Sequence, residues 1–292
     1  MRTVIDTDPG VDDALALLSL PDRIELECLV ASPGNVETSS SVRNTAFLRD
    51  RAFPGVPVLR GADSPLEREL RTSESHGETG LGELEPGERT ADGDAVGRLL
   101  SMEKDDVSLV VLGPPTTVAE ALEDDPRLLE KFRSVTLMGG ACRQEGNVTE
   151  TAEFNFWCDP EAADRVLRAP GEKRLVPLDV CREVRIDPGV IRSTDFLEKL
   201  TGPYSRYYRR EEGRGPVMYD PVAVLLASDP SLGSTEKSGL KARREGERGE
   251  LVQDPGRPET EVFTGIDEGE AGEKFKTGLK SGPETGYVRC TK

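Results

Sequence analysis

Short runs of β-branched and aliphatic residues recur along the first 180 positions, and each is followed by a polar turn and then by apolar residues at helical spacing. Apolar runs of this length, bounded by turn residues, predict buried strands. The strands predicted in this way are Thr3–Ile5, Glu25–Ala31, Val56–Leu59, Val107–Leu112, Val135–Met138 and Arg174–Leu178.

Amphipathic segments lie between these strands, and the spacing of their apolar residues predicts helices that cover a sheet. The predicted helices are Asp12–Leu20, Val42–Ala52, Asp94–Met102, Val118–Glu123 and Pro160–Leu167. Because strands alternate with helices, the pattern predicts an α/β fold with a mostly parallel open sheet flanked by helices. Ligands of such folds bind outside the carboxyl ends of the strands, where the polar motifs of this chain lie.

The pattern changes after residue 185, where charged and glycine-rich segments become common. The elements predicted there are the helices Pro188–Leu200, Pro203–Glu212 and Asp220–Ala227 and the short strands Gly249–Val252 and Glu261–Phe263. No linker separates residues 236–292 from the rest, so we expect a single domain over residues 1–292 with a smaller C-terminal extension. The loop from Gly61 to Thr90 is long for a compact fold, which is typical of functional or disordered segments.

Composition excludes several classes of partner. The formal net charge of −17 disfavours binding to nucleic acid or to an anionic membrane, and no apolar run approaches the ~18 residues of a membrane span. Five scattered cysteines without a CxxC pair, and a first strand that begins directly after Met1-Arg2, favour a reducing cytoplasm without a signal peptide. Only 10 of the 38 basic residues are lysine, and we interpret this acidic, lysine-poor composition as a hypothesis that the host cytoplasm is rich in salt.

The densest chemistry lies in residues 6–13, DTDPGVDD, directly after the first predicted strand. The Pro9-Gly10 turn allows the carboxylates of Asp8, Asp12 and Asp13 to converge. So much negative charge in one turn is stable if it is spread into water or if a hard cation binds among the oxygens. The simpler interpretation is that Asp12 and Asp13 only cap a helix and complement its dipole.

Further polar motifs follow the other strands, and each has an ordinary interpretation as a turn, a helix entry or a solvated loop. They are Ser32-Pro33-Gly34-Asn35, His76–Gly82, Gly113–Thr117, Met138-Gly139-Gly140, Gly146–Ala163 and Tyr219-Asp220-Pro221. Asn147, Glu153 and Asn155 provide two amides and a carboxylate within nine residues, a set of donors and acceptors that suits sugar hydroxyls.

In this order and spacing, the motifs over roughly residues 3–230 resemble those of the inosine-uridine-preferring nucleoside hydrolases, a family of calcium-dependent N-ribohydrolases. The resemblance implies a nucleoside-hydrolase-like fold and hydrolysis of the N-glycosidic bond of ribonucleosides to ribose and free base. It also implies a nucleoside as the small-molecule partner and a homodimer or homotetramer.

The resemblance also implies roles for individual residues. The calcium ligands would be Asp8, Asp13, the backbone carbonyl of Thr116 and Asp220, with Asp8 also accepting the proton of the attacking water. The residues that would bind the substrate are Asp12, Asn35, Met138, Asn147, Glu153, Asn155 and Asp220.

Two positions depart from the family pattern. Thr117 stands where the family has asparagine, and Tyr219 stands where many members have the histidine that protonates the leaving base. His76 and Tyr219 are therefore both candidates for assisting the departure of the base. Tyrosine, with an ordinary pKa of about 10, is a poorer acid than histidine near neutral pH.

Two other functions are open on the sequence. A weakened relative could bind nucleoside or ribose without turnover, because Tyr219 replaces histidine. A phosphatase of the haloacid dehalogenase type is suggested by the strand-borne DxD at Asp6 and Asp8, although lysine is nearly absent from the strand ends.

Overall fold

The computed structural model describes residues 1–104, 106–185, 189 and 193–280. The described strands form one ten-stranded sheet in the order β4-β3-β2-β1-β5-β6-β7-β10-β8-β9. Their bounds are β1 Arg2–Thr7, β2 Glu25–Ala31, β3 Val58–Arg60, β4 Gly93–Asp94, β5 Val107–Val111, β6 Val135–Met138, β7 Lys173–Val176, β8 Gly233–Ala242, β9 Leu251–Gln253 and β10 Glu259–Ile266. Among them every pairing is parallel except those of β8 with β10 and β9, which confirms the predicted mostly parallel open sheet.

Helices cover both faces of this sheet. They are α1 Val11–Leu18, α2 Thr38–Ala52, α3 Ala95–Leu100, α4 Thr116–Asp124, α5 Phe154–Cys158, α6 Pro160–Arg168, α7 Leu178–Cys181, α8 Asp195–Glu212, α9 Tyr219–Ser228 and α10 Glu268–Lys280, with 3-10 turns at Leu128–Lys131 and Pro230–Leu232. One apolar core packs the sheet against α1, α2, α8, α9 and α10, and a second packs it against α3, α4, α5 and α6. Within the described ranges, no helix has the length and apolarity needed to cross a bilayer.

The predicted elements before residue 180 are present, with shifted ends. Helix α2 starts at Thr38, four residues before the predicted Val42, because a polar first turn precedes its apolar stripe. Strand β7 ends at Val176 rather than Leu178, because Pro177 precedes the short helix α7.

The prediction of two separate helices on either side of Pro203 is wrong, because α8 runs through the proline from Asp195 to Glu212. Proline has no N–H to donate to the carbonyl four residues earlier. That carbonyl, of Lys199, instead accepts the backbone N–H of Glu83 at 2.9 Å. The proline therefore frees a carbonyl that attaches the long loop to α8. The first predicted helix was Pro188–Leu200. Its residues 188 and 190–192 lie outside the described residues.

Two C-terminal elements were missed by the sequence pattern. Strand β8 is polar and glycine-containing, and it forms because it pairs with β10 on one side and β9 on the other. Such pairing outweighs weak strand propensity. Helix α10 contains three glycines in EGEAGEKFKTGLK, yet it buries Ala271 and Phe275 against α9 and α1.

Candidate active site

The candidate site lies where the order of the parallel strands changes direction. From β1 the chain moves outward through β2, β3 and β4, and it then returns to place β5 on the other side of β1. Crevices at such a switch point are the usual ligand sites of open α/β sheets. The segments that follow β1, β2 and β5 carry Asp8, Asn35 and Thr116, so three predicted motifs meet at this edge.

Asp8 follows β1 and has almost no freedom to move. Its Oδ2 accepts the backbone N–H of Asn35 at 2.6 Å, whereas its buried Oδ1 has no hydrogen-bond partner among the described residues. A Cβ at Gly34 would lie 2.0 Å from Asp8 Oδ2, and one at Gly113 would lie 2.3 Å from Oδ1. The Asp8 carboxylate is therefore clamped between two glycine backbones, with one oxygen available for a ligand.

Asp13 lies in the first turn of α1 and is held by three donors. Its Oδ1 accepts the hydroxyl of Thr7 at 2.5 Å, and its Oδ2 accepts the N–H of Gly10 at 2.9 Å and the side-chain amide of Asn35 at 3.3 Å. The Gly10 contact is the helix cap that the simpler interpretation predicts. Capping alone leaves Asp12 unexplained, because within the part of the chain that the structure describes its buried Oδ1 has no hydrogen-bond partner.

The carboxylates repel one another. Burial is the main cause that raises the pKa values of Asp8, Asp13 and Asp220, and the charges of neighbouring aspartates raise them further. Burial also raises the pKa of Asp12, to about 6. Asp12, Asp13 and Asp220 each offer an oxygen, and these three oxygens lie within 4.8 Å of one another. Buried carboxylate oxygens fit a hard divalent cation such as calcium, and two of them, Asp8 Oδ1 and Asp12 Oδ1, have no hydrogen-bond partner in the described ranges.

The second wall carries the predicted sugar-binding side chains. Glu153 accepts N–H groups from Asn155, Gly140 and Phe156 at 2.7, 2.9 and 3.1 Å, while burial raises its pKa to about 7. The amide of Asn155 donates to the carbonyls of Leu112 and Met138 at 2.7 and 3.2 Å. With its N–H groups engaged in this way, the Oδ1 of Asn155 is the atom able to accept a ligand hydroxyl. 

Asn147 is placed differently from these buried residues. It is exposed, and its Oδ1 accepts the N–H of Phe154 at 2.9 Å. The arrangement ties the glycine-rich loop to the start of α5.

On the third side, His76 is a neutral imidazole. Its Nδ1 accepts the backbone N–H of Val11 at 3.1 Å, and burial lowers its pKa to about 4. The ring proton of neutral His76 therefore lies on Nε2. His76 can donate a hydrogen bond from that atom but holds no extra proton near neutral pH.

Tyr219 begins α9 and is nearly buried. Burial raises the pKa of its phenol, so the hydroxyl stays protonated. This hydroxyl accepts the hydroxyl of Tyr208 at 3.1 Å, which leaves the proton of Tyr219 itself free for another acceptor.

Two tyrosines of α8 belong to this site and were missed as site residues. The ring of Tyr204 stacks on His76 with centroids 5.0 Å apart, and Tyr208 packs edge-on against Tyr204 at 4.9 Å. Tyr204 also interacts with Asp12 and opposes the rise in its pKa that burial causes. The signal was present in YSRYY, because residues four apart lie on one face of a helix.

A buried chain of hydroxyls beneath the site was also missed. Ser32 donates to Asp6 Oδ1 at 2.5 Å and lies 2.6 Å from the hydroxyl of Thr117, which accepts the N–H of Ala62 at 3.0 Å. The chain joins β1 to the segments that follow β2, β3 and β5. Thr117, one of the two departures from the family pattern, is thus a structural link beneath the site.

Replacing Ser32 by alanine is expected to lower the free energy of unfolding by about 1–3 kcal/mol, because Asp6 and Thr117 lose a buried partner. Urea unfolding measures this loss. Ser19→Ala is the matched control, since its buried hydroxyl donates to the backbone carbonyl of Leu15 at 2.7 Å. If the loss in unfolding free energy is no larger for Ser32→Ala than for Ser19→Ala, the chain of hydroxyls adds nothing to stability.

These walls enclose a cavity of about 410 Å³, a size that suits a small polar ligand. The predicted site residues that line it are Asp12, Asn35, His76, Met138, Asn147, Glu153, Asn155, Tyr219 and Asp220. Asp8, Asp13 and Thr116 are not among the described residues that line it. The side chain of Thr116 donates to Asp159 at 2.8 Å, which fixes the first turn of α4.

A carboxylate cluster suited to a hard cation, beside a cavity of amides, carboxylates and tyrosines at a strand switch point, defines an α/β enzyme that acts on a polar small molecule. The model of the inosine-uridine preferring nucleoside hydrolase family matches residues 3–273. The chain belongs to this family.

Individual relatives agree with this assignment. The inosine-uridine preferring nucleoside hydrolase of Crithidia fasciculata is 31% identical over 257 residues, which cover 81% of either chain. Uridine nucleosidase 1 of Arabidopsis thaliana is 30% identical over 270 residues, which cover 84% of this chain and 79% of the relative. The structure of a purine-preferring ribonucleoside hydrolase from Gardnerella vaginalis matches with a TM-score of 0.89 at 28% identity, over 96% of this chain and 98% of that one.

Proposed function

We propose that this protein hydrolyses the N-glycosidic bond of ribonucleosides to ribose and free base, with calcium as its metal. The observation that carries the proposal is the close group of buried aspartates Asp12, Asp13 and Asp220 beside a polar cavity of about 410 Å³. The buried carboxylate of Asp8 interacts with this group through its charge. Family membership supports the reaction class, since the matched family is one of nucleoside hydrolases.

Asp8, Asp13, Asp220 and the backbone carbonyl of Thr116 would hold the calcium ion. A bound calcium ion supplies positive charge that offsets the carboxylate repulsion and makes a water molecule more acidic. Asp8 accepts the proton of the attacking water at its unpartnered Oδ1.

Asp12, Asn35, Asn147, Glu153 and Asn155 bind the ribose hydroxyls in this proposal, and Met138 packs beside them. A glycosidic bond breaks through an oxocarbenium-like transition state. Contacts that strengthen as the sugar flattens therefore speed the reaction, whereas contacts equally strong in the ground state do not. The buried carboxylate of Asp12, whose pKa is about 6, is suited to this work, because its negative charge at neutral pH favours a cationic sugar ring.

The departing base receives a hydrogen bond from Tyr219, whose own proton is free, or from Nε2 of His76. Neither residue needs to be charged for this role. Tyr204 and Tyr208 hold the two candidates in place, since Tyr204 stacks on His76 and Tyr208 donates to Tyr219.

A panel of purine and pyrimidine nucleosides with calcium, monitored for release of ribose, tests the function. The panel has to be broad, because the names of the relatives include both a uridine nucleosidase and a purine-preferring ribonucleoside hydrolase. Ribose binding without release of base would favour the weakened relative, and release of phosphate from an aryl phosphate with magnesium would favour the phosphatase. A homodimer or homotetramer, and a single domain over residues 1–292, stay predictions.

Chelation of the metal is expected to abolish activity and to lower the melting temperature. In metal-free protein the pKa of Asp12 is about 6 against an ordinary 3.8, so the folded state binds more protons than the unfolded state between these values. The contribution of such a group to stability falls as the pH rises through that range. Added calcium should therefore raise the melting temperature more at about pH 7.5 than at about pH 5.

Differential scanning fluorimetry at both pH values measures this difference, and magnesium in place of calcium tests the preference for the larger ion. Full activity and an unchanged melting temperature after exhaustive chelation would contradict the metal site.

A further inference from the structure

The loop between β8 and β9, residues 243–250, lies against the rear of the sugar-binding wall. It is closed by its own backbone, since Arg243 N–H donates to the Glu250 carbonyl at 2.9 Å and Gly249 N–H donates to the Arg243 carbonyl at 2.8 Å. The nucleoside hydrolysis proposed above assigns it no role.

Arg248 of this loop binds the C-terminal end of α5. Its Nε donates to the carbonyl of Trp157 at 2.6 Å, and its Nη2 donates to the carbonyl of Cys158 at 3.0 Å. The guanidinium carbon also lies 4.2 Å from the centre of the Trp157 ring. Carbonyls at the end of a helix lack partners within the helix, and a planar guanidinium meets two of them while stacking on the ring.

The same loop holds the segment that precedes α5. Ala152 forms an antiparallel bridge with Glu250, so the two backbones are paired just before Glu153. A Cβ at Gly249 would lie 2.7 Å from Trp157 Cα, so the loop backbone packs directly on α5. The side chain of Leu251 occupies the position next to Gly140, whose N–H donates to Glu153.

Helix α5 needs such support. It has five residues, Phe154–Cys158, and a helix of this length is not stable on its own. It nevertheless carries Asn155, and Glu153 is its N-cap. The positions of both side chains therefore depend on contacts made at the two ends of the segment.

We propose that Arg248 is a positioning residue for sugar recognition. By holding the carbonyls of Trp157 and Cys158, it fixes α5 so that Glu153 and Asn155 face the ribose. This inference rests on the proposed function for the identity of the sugar. It assigns the C-terminal extension a part in substrate binding, although Arg248 lies more than 90 residues after Glu153 and Asn155 along the chain.

Arg248→Gln is expected to lower kcat/KM for nucleosides roughly 10- to 100-fold, mainly through KM, because small misplacements of binding groups have effects of this size. Ribose, measured as an inhibitor and by calorimetry, should bind at least about 10-fold more weakly, because Glu153 and Asn155 are the side chains assigned to the sugar. The rise in melting temperature on adding calcium should be retained, since the hydrogen bonds and ring contact of Arg248 are made with Trp157 and Cys158. Arg248→Lys should be intermediate, because a lysine cannot serve both carbonyls and the ring.

Arg243→Gln is the matched control. Arg243 belongs to the same loop, and its guanidinium pairs with Glu250 at 2.6 Å with half of the side chain exposed. Its removal should leave KM and ribose affinity within about twofold of wild type. If Arg248→Gln does not fold, the comparison of Arg248→Lys with Arg243→Gln carries the test.

If folded Arg248 variants keep the KM and ribose affinity of wild type, the inference is overturned and Arg248 is a purely stabilising residue. The same conclusion follows if Arg243→Gln loses as much substrate and ribose affinity as Arg248→Gln. Failure of the proposed function shows separately, as wild-type protein that releases no base from any nucleoside. Ribose affinity then still tests the inference, and wild-type protein that binds no ribose would overturn it as well.

Discussion

Replacing Asp8 by asparagine is expected to lower kcat by about 10³-fold or more, because the change removes both the proposed base and one charged ligand of the metal. Asparagine has nearly the same shape, so it fits between Gly34 and Gly113, and its oxygen can still accept the N–H of Asn35. The fold should therefore remain. One repelling charge is lost from the cluster, so the metal-free variant should melt no lower than wild type, while the stabilisation by calcium should shrink.

Asp12→Asn is the matched comparison, four residues further along the chain. If Asp12 binds the sugar, this variant should raise KM and weaken ribose binding while keeping most of the stabilisation by calcium. The comparison matters because Asp12, rather than Asp8, offers an oxygen close to those of Asp13 and Asp220. Loss of calcium stabilisation in Asp12→Asn but not in Asp8→Asn would exchange the two proposed roles.

The sheet and the meeting of its motifs could be predicted because both depend on local information. Strands β1, β2, β5 and β6 are short apolar runs, and parallel strands place the segments that follow them at one edge of the sheet. Asp8, Asn35 and Thr116 therefore come together without any knowledge of side-chain contacts.

Other features depend on contacts between distant segments, which no local pattern contains. The course of α8 through Pro203 depends on the N–H of Glu83, more than a hundred residues earlier, which takes the freed carbonyl of Lys199. The neutral state of His76 depends on its burial against Tyr204 and on the N–H of Val11. Strand β8 of the C-terminal extension forms by pairing with β10 and β9, although its own polar and glycine-containing sequence does not favour a strand.

Tyr219→Phe is expected to slow the hydrolysis of natural nucleosides by about 10²-fold or more and that of p-nitrophenyl riboside by only about threefold, because nitrophenolate leaves without a proton. The substitution removes the hydroxyl that would hydrogen-bond the departing base. Tyr208→Phe is the control for packing, since it removes the hydrogen bond donated to Tyr219 but leaves the Tyr219 proton in place. Its effect on natural nucleosides should be smaller.

For His76 the structure permits a sharper substitution than alanine. Asparagine at this position can keep an acceptor for the N–H of Val11 while removing the Nε2 proton, so His76→Asn separates the two functions of the ring. His76→Ala, which removes both, should impair natural nucleosides further. If His76→Asn keeps wild-type rates and only His76→Ala is slow, the histidine holds the loop and does not assist the base.

Tyr219→His completes the set, and we expect it to preserve or raise activity on natural nucleosides. Imidazole is an acid better matched to neutral pH than a buried phenol, whose pKa burial raises still further. The position also precedes Asp220, so a protonated ring there would lie close to the carboxylates, whose charge favours the protonated form. Equal losses on both kinds of substrate, in the Tyr219 and His76 variants alike, would mean that neither residue assists departure. The base would then leave by protonation through water, or by stacking on the tyrosines of α8.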